Sequence, residues 1–182
     1  DNIYRWKNTI GPVEQRIEDY NIWNYHQTMG LGYFEYLQFC EDIGAKPLPV
    51  LAAGVSCQNS SRLRGTGQEA IPMTEMPQYI QDVLDLVEYC NGATTTIWGK
   101  KRAEAGHHET INLEYIGIGN EDKITPEFKT RFEMIYKASK QHYPNIKVVG
   151  TVGPDIKGED YEKGWSFAKT LDVDIVDEHG YE

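Results

Sequence analysis

Four short apolar runs alternating with four helical periodicities set the tightest limit on what this chain can build. The runs are residues 46–53, 113–119, 146–151 and 173–176. They are apolar with little alternation, as strands buried on both faces are. A helix is expected from Leu31, with Phe34, Leu37 and Cys40 on one face and Gly44 as its stop. Met76, Ile80, Val83, Leu84, Val87 and Cys90 form the stripe of a second, ending at Asn91-Gly92. In the third, Thr125 is the N-cap, Pro126 the first helical residue, and Phe128, Phe132 and Ile135 the buried face. The fourth covers residues 161–171. This order predicts an α/β fold with parallel strands. Four strands fit about half of an eight-stranded barrel or an open doubly wound sheet, and periodicity does not separate the two.

Three stretches carry no such pattern. Residues 1–28, 54–74 and 93–112 are expected as long loops, which are usually functional or poorly ordered. Lys100-Lys101-Arg102 in the third is expected to be solvated.

Hydrophobic residues make up 40% of the 182 and charged residues 25%, a globular profile. The formal net charge of −10, with no basic stripe, argues against nucleic acid as a partner. No apolar run is long enough to span a bilayer, so no membrane partner is expected. The chain begins at Asp1 without a basic and apolar leader. It is expected to be cut from a longer protein or to have lost a leader, and no compartment is assigned. Cys40, Cys57 and Cys90 have neither the spacing of a zinc site nor that of a disulfide framework. Cys40 and Cys90 fall on helical stripes, where buried free thiols are common, and a single bridge stays open. His107-His108-Glu109 lacks the spacing that puts two metal ligands on one helix face, Gly117-Ile118-Gly119 lacks the third glycine of a dinucleotide loop, and no serine elbow is present. No metal or cofactor is expected.

In parallel α/β folds, chemistry gathers where strands end at their carboxyl sides. One strand runs out through Gly117-Ile118-Gly119-Asn120-Glu121, another through Asp177-Glu178-His179-Gly180-Tyr181-Glu182. A Glu beside a neutral hydrogen-bonding Asn suits a general acid, whose pKa partial burial can raise. Position alone also allows Glu121 to be a solvent-facing loop residue. Strand alternation puts Asp177, His179 and Tyr181 on one face and Glu178 on the other. Trp6, Trp23 and Trp98 fall in the expected loops, where aromatics either stack on sugar faces or pin the loop down.

These strand ends, with Tyr4-Arg5-Trp6 through Gly11-Pro12, Gly32-Tyr33-Phe34-Glu35-Tyr36-Leu37, residues 84–91 and the stretch from Trp98-Gly99-Lys100 to His107, resemble the α-L-arabinofuranosidases of glycoside hydrolase family 51. The likeness spans nearly the whole chain in order. It implies part of a (β/α)8 barrel, roughly barrel strands three to six, as a single fragment of the catalytic domain. It also implies a retaining exo-acting hydrolase that releases terminal arabinofuranose from arabinan- or arabinoxylan-type glycans. By this resemblance Glu121 is the acid/base and Asn120 hydrogen-bonds a sugar hydroxyl. His179 and Tyr181 are site residues after the sixth strand, and Trp23 lies near the leaving group. No residue matches the family's nucleophile; Glu178 and Glu182 are not assigned to it. The 182 residues alone are therefore expected to be inactive, and to self-associate or pair with the remainder of the barrel. Another retaining barrel glycosidase, such as a xylosidase or endoglucanase, and a non-catalytic carbohydrate-binding fragment stay open as alternatives.

Overall fold

The computed structural model describes residues 3–21, 23–57 and 67–181. Its contacts divide the chain into two compact units, Asp1–Ile3, Leu48–Ile80 and Tyr115–Glu182 in the first, Tyr4–Pro47 and Gln81–Glu114 in the second.

The first unit holds a parallel sheet of four strands: β3 (Val50–Leu51), β4 (Tyr115–Ile118), β5 (Lys147–Thr151) and β6 (Ile175–Asp177). Spatial order follows sequence order, β3-β4-β5-β6, without the reversal of direction that defines a doubly wound sheet. The wall of a barrel is built this way. The paired strands are shorter than the apolar runs. Pro49 has no N–H to give a ladder, so β3 pairs only over two of the eight residues expected there. Ile116, Ile118, Val148 and Val152 are at most 1% exposed.

Two helices cover this sheet's residues. Helix α4 (Pro126–His142) starts as its sequence dictates: the Thr125 hydroxyl accepts the Phe128 N–H at 3.2 Å, and Pro126, with no N–H to satisfy, takes the first turn. It buries Phe128, Phe132 and Ile135, and Phe132 meets Phe167 of α5 (Glu159–Leu171) edge-on at 5.7 Å. Each such side chain contributes roughly 1.5–3 kcal/mol by leaving water.

The second unit contains α1 (Tyr33–Asp42), most of α2 (Met76–Asn91) and α3 (Ile97–Glu104). Glu35 anchors the start of α1, accepting the Gly32 N–H at 2.8 Å and two bonds from Arg16 at 2.9 and 2.7 Å. Gly44 closes the helix at φ +69°, as its position predicted. Cys90 is fully buried, but Cys40 is only half-buried, because the contact face of α1 runs through Tyr33 and Leu37. None of the three cysteines forms a disulfide among the described residues.

Two of the expected loops carry more structure than their sequence suggested. Residues 1–28 include two 3-10 turns, Trp6–Thr9 and Val13–Gln15, and a small antiparallel ribbon of β1 (Asp19–Tyr20) and β2 (His26–Gln27). Trp6 is 2% exposed, its indole N–H bonded to the Asp82 carbonyl at 2.7 Å, so it pins this segment down. Within 93–112 lies α3, capped by Thr96, whose hydroxyl accepts the Gly99 N–H at 3.1 Å. Arg102 of the supposedly solvated basic triplet is wholly buried. In 54–74, Val55 bridges Ala70, and positions 58–66 lie outside the described residues. No helix among the described residues is long and apolar enough to cross a membrane.

Candidate active site

Strand β4 delivers its last residue, Ile118, fully buried, and the chain then turns sharply. Gly119 makes the turn at φ +84°, its N–H held by the Leu51 carbonyl at 2.7 Å. A Cβ there would sit 2.5 Å from an Asp122 carboxylate oxygen and 2.7 Å from the Thr151 methyl, so only glycine fits. Glu121 follows, itself left-handed at φ +53°. Few non-glycine residues adopt that conformation, and when one does it needs surroundings that hold it.

Asp122 supplies part of that hold. It is 3% exposed and accepts the Asn120 N–H at 3.1 Å. Burial pushes its carboxyl up to about 7; the Asn120 N–H pulls it down and the neighbouring Glu121 charge pushes it up further. The folded chain therefore holds a proton that the unfolded chain, with an ordinary value of 3.8, releases. Stability is expected to fall as pH rises from about 4 to about 7, then level off, by on the order of a few kcal/mol. Asp122→Asn keeps an acceptor for the Asn120 N–H but cannot ionise. Denaturant melts across that pH range should lose this component of the slope; an unaltered slope would refute the assignment.

The second strand end comes to the same place. Past β6, His179 sits with its Nδ1 3.0 Å from Glu121 Oε1 and its Nε2 2.9 Å from Asp177 Oδ2. The Nδ1 contact is off the hydrogen-bond line. Among the described residues no donor is aligned on Glu121 Oε1, a buried carboxylate oxygen. Buried polar atoms in that condition are rare and cluster at sites that await a partner. Glu178, on the opposite face, accepts bonds from the Tyr161 hydroxyl and the Trp165 indole, both at 2.7 Å, which hold its carboxyl below the usual range. It therefore points away from Glu121, as strand alternation predicted.

Of the residues singled out from sequence, Glu121 and His179 are brought together. Asn120 is exposed beside them and engages through its backbone. Tyr181 is 77% exposed, and among the described residues no hydrogen bond or ring contact ties it to either. Trp23 belongs to the second unit, 70% exposed between β1 and β2. Glu182 lies outside the described residues. Asp122 and Asp177 were missed. Asp177 could have been found, since it shares a strand face with His179; nothing in the sequence marked Asp122 as buried. No cluster of metal-ligating side chains occurs among the described residues.

A parallel sheet in sequential order, with ionisable groups converging beyond its carboxyl ends, is the arrangement in which barrel enzymes carry their sites. The chain belongs to the alpha-L-arabinofuranosidase 1 domain family, whose model matches residues 1–182. It is 43% identical, over 98% of its length, to an extracellular exo-alpha-L-arabinofuranosidase of Streptomyces chartreusis, and 34% identical, over 81%, to alpha-L-arabinofuranosidase 1 of Arabidopsis thaliana. It spans 21% and 20% of those proteins, about a fifth. Among solved structures it resembles an arabinose-bound GH51 α-L-arabinofuranosidase, with a TM-score of 0.70 and 28% identity over 81% of this chain and 22% of that one. A family 51 α-L-arabinofuranosidase from Bifidobacterium longum superposes with a TM-score of 0.76 over 99% of this chain and 33% of that one; at 19% identity it speaks for the fold alone. The fold is part of a (β/α)8 barrel.

Proposed function

We propose that the whole protein is a retaining, exo-acting α-L-arabinofuranosidase, a glycoside hydrolase that releases terminal arabinofuranose from arabinan- or arabinoxylan-type glycans. Glu121 is its acid/base. The observation that carries this reading is the buried, unaligned Oε1 of Glu121 at the carboxyl end of β4, 3.0 Å from His179 Nδ1. Such an oxygen can hold a proton and has no fixed donor to release before meeting a leaving-group oxygen. The names of the similar proteins supply the sugar.

In the first step Glu121 protonates the departing oxygen while an ionised carboxylate attacks the anomeric carbon. In the second, the same Glu121 deprotonates the water that frees the sugar. Retaining chemistry needs those two carboxyl groups about 5–5.5 Å apart. Glu178 is committed to Tyr161 and Trp165, and Asp122 is buried against its own turn, so the reading requires a nucleophile from a segment outside these 182 residues. Asn120, His179 and Tyr181 are read as sugar-binding, and Trp23 as a leaving-group contact. No cofactor enters the scheme.

Whole protein should cleave arabinofuranosyl oligosaccharides at least tenfold faster than xylosyl or glucosyl ones, and proton NMR of the first-formed sugar should show the substrate's own anomeric configuration. The 182 residues alone should show no turnover. A preference for xylosyl or glucosyl substrates would move the protein to another retaining glycosidase class, and an inverted product would end the two-step scheme.

A further inference from the structure

The turn that carries Glu121 is gripped by a side chain from another strand's loop, and that side chain has no part in the scheme so far. Gln68 donates from Nε2 to the Lys123 carbonyl at 3.0 Å, and its Oε1 accepts the Lys123 N–H at 2.9 Å. A carboxamide carries a donor and an acceptor side by side, as a peptide unit does, so it can close on both backbone groups of one residue. Gln68 is itself anchored. The Ser56 N–H bonds the Glu69 carbonyl at 2.7 Å, the Glu69 N–H bonds the Ser56 hydroxyl at 2.9 Å, and the Ile71 N–H bonds the Gly54 carbonyl at 2.8 Å. Residues 69–71 thus run antiparallel to the segment that leaves β3, with Val55 bridging Ala70.

The rest of the turn is fixed around this grip. The Gly119 N–H is held by the Leu51 carbonyl at 2.7 Å, and the Ile124 N–H by the Asp160 carboxylate of α5 at 2.9 Å. Glu121 stands midway between Gly119 and Lys123, at a φ of +53° that a non-glycine residue keeps only when its surroundings impose it. Among the described residues no hydrogen bond joins Gln68 to Glu121, so any effect passes through the Lys123 peptide. We infer that Gln68 is a positioning residue for Glu121: its carboxamide clamps the Lys123 peptide, and with Gly119 fixed on the other side this sets where the Glu121 carboxyl stands. This inference rests on Glu121 being the acid/base, and it gives the loop after β3 a task in the same step.

The test uses whole protein carrying Gln68→Met, Glu121→Ala or both, on two arabinofuranosides, one with an acidic phenol and one with a sugar as leaving group. Methionine fills similar space without donor or acceptor, and the Lys123 carbonyl keeps the Thr125 N–H at 2.9 Å, so the variant should fold. Misplacing a catalytic group by about 1 Å can cost on the order of 100-fold; Gln68 is one hold among several, so kcat/KM on the sugar-leaving substrate should fall roughly 3- to 30-fold. The phenol-leaving substrate, whose first step needs little protonation, should be nearly spared. Once residue 121 is alanine there is no carboxyl left to place, so adding Gln68→Met should bring no further loss on the sugar-leaving substrate. Hydrogen exchange of Gln68→Met, read by mass spectrometry over residues 119–125, should show one more fast amide, that of Lys123. No loss on the sugar-leaving substrate, equal losses on both, losses that multiply in the double variant, or an unchanged exchange pattern each overturn the inference. If Glu121→Ala itself is indifferent to the leaving group, the acid/base reading fails and takes this inference with it. The two failures are distinct, because the first leaves the leaving-group dependence of Glu121→Ala intact.

Discussion

In the whole protein, Glu121→Ala should lower turnover of arabinofuranosides with poor leaving groups by roughly 10²–10⁴-fold, the usual range of general acid/base catalysis. Substrates whose leaving group is an acidic phenol need little protonation, so their first step should survive. The glycosyl-enzyme then accumulates, because no base remains to activate water. Azide needs no deprotonation, so it should restore turnover and give an arabinosyl azide of retained configuration. A residue that only shaped the turn after β4 would behave otherwise, with similar losses for every substrate and no azide product. That second pattern would remove Glu121 from the chemistry.

Arg102 should show the largest stability effect. Its guanidinium is wholly buried and bonds five backbone carbonyls: Tyr89 at 2.6 Å, Cys90 and His107 at 3.2 Å, Gly92 at 2.9 Å and His108 at 3.3 Å. Three of these carbonyls belong to the C-terminal end of α2 or the residue after it, where the last turn of a helix leaves acceptors unmatched and carries partial negative charge. The cation is thus balanced by a helix end. Arg102→Met fills similar space but takes the donor from the Tyr89, Gly92, His107 and His108 carbonyls, while the Cys90 carbonyl keeps the Ile111 N–H at 2.9 Å, and about 3–5 kcal/mol should be lost. For a chain of this size that lowers Tm by roughly 10 °C. Arg102→Lys should recover less than half, since an ammonium cannot reproduce the planar fork of donors. A loss below about 1 kcal/mol in Arg102→Met would mean that water replaces the guanidinium.

Arg102 also shows where the sequence ran out. Three adjacent basic residues in a stretch with weak periodicity suggest solvent, because the acceptors that make burial tolerable are main-chain carbonyls and leave no mark on residue type. Trp6 was ambiguous for a related reason: the indole's partner is the Asp82 carbonyl, 76 positions away. Side-chain signals with a short reach were readable. Thr125-Pro126 located the start of α4 to the residue, and Gly44 the end of α1. Barrel and open sheet could be separated only once pairing was visible, since strand order is a long-range fact. At the site, the strand ends carrying Glu121 and His179 were legible, and two-residue alternation set Glu178 apart. The burial of Asp122 and the left-handed backbone of Glu121 were not, because both depend on how tightly the turn closes over Thr151.

That backbone bears on how the position would fare under selection. A side chain held at φ +53° costs about 1–2 kcal/mol relative to glycine, which adopts the conformation freely. A variant library ranked by heat tolerance alone would therefore enrich glycine or asparagine at 121 and discard the carboxyl group. Durability and chemistry favour different residues at this one position. Any stabilising campaign on this protein has to score turnover alongside melting, or it will remove the carboxyl group on which the proposed mechanism depends.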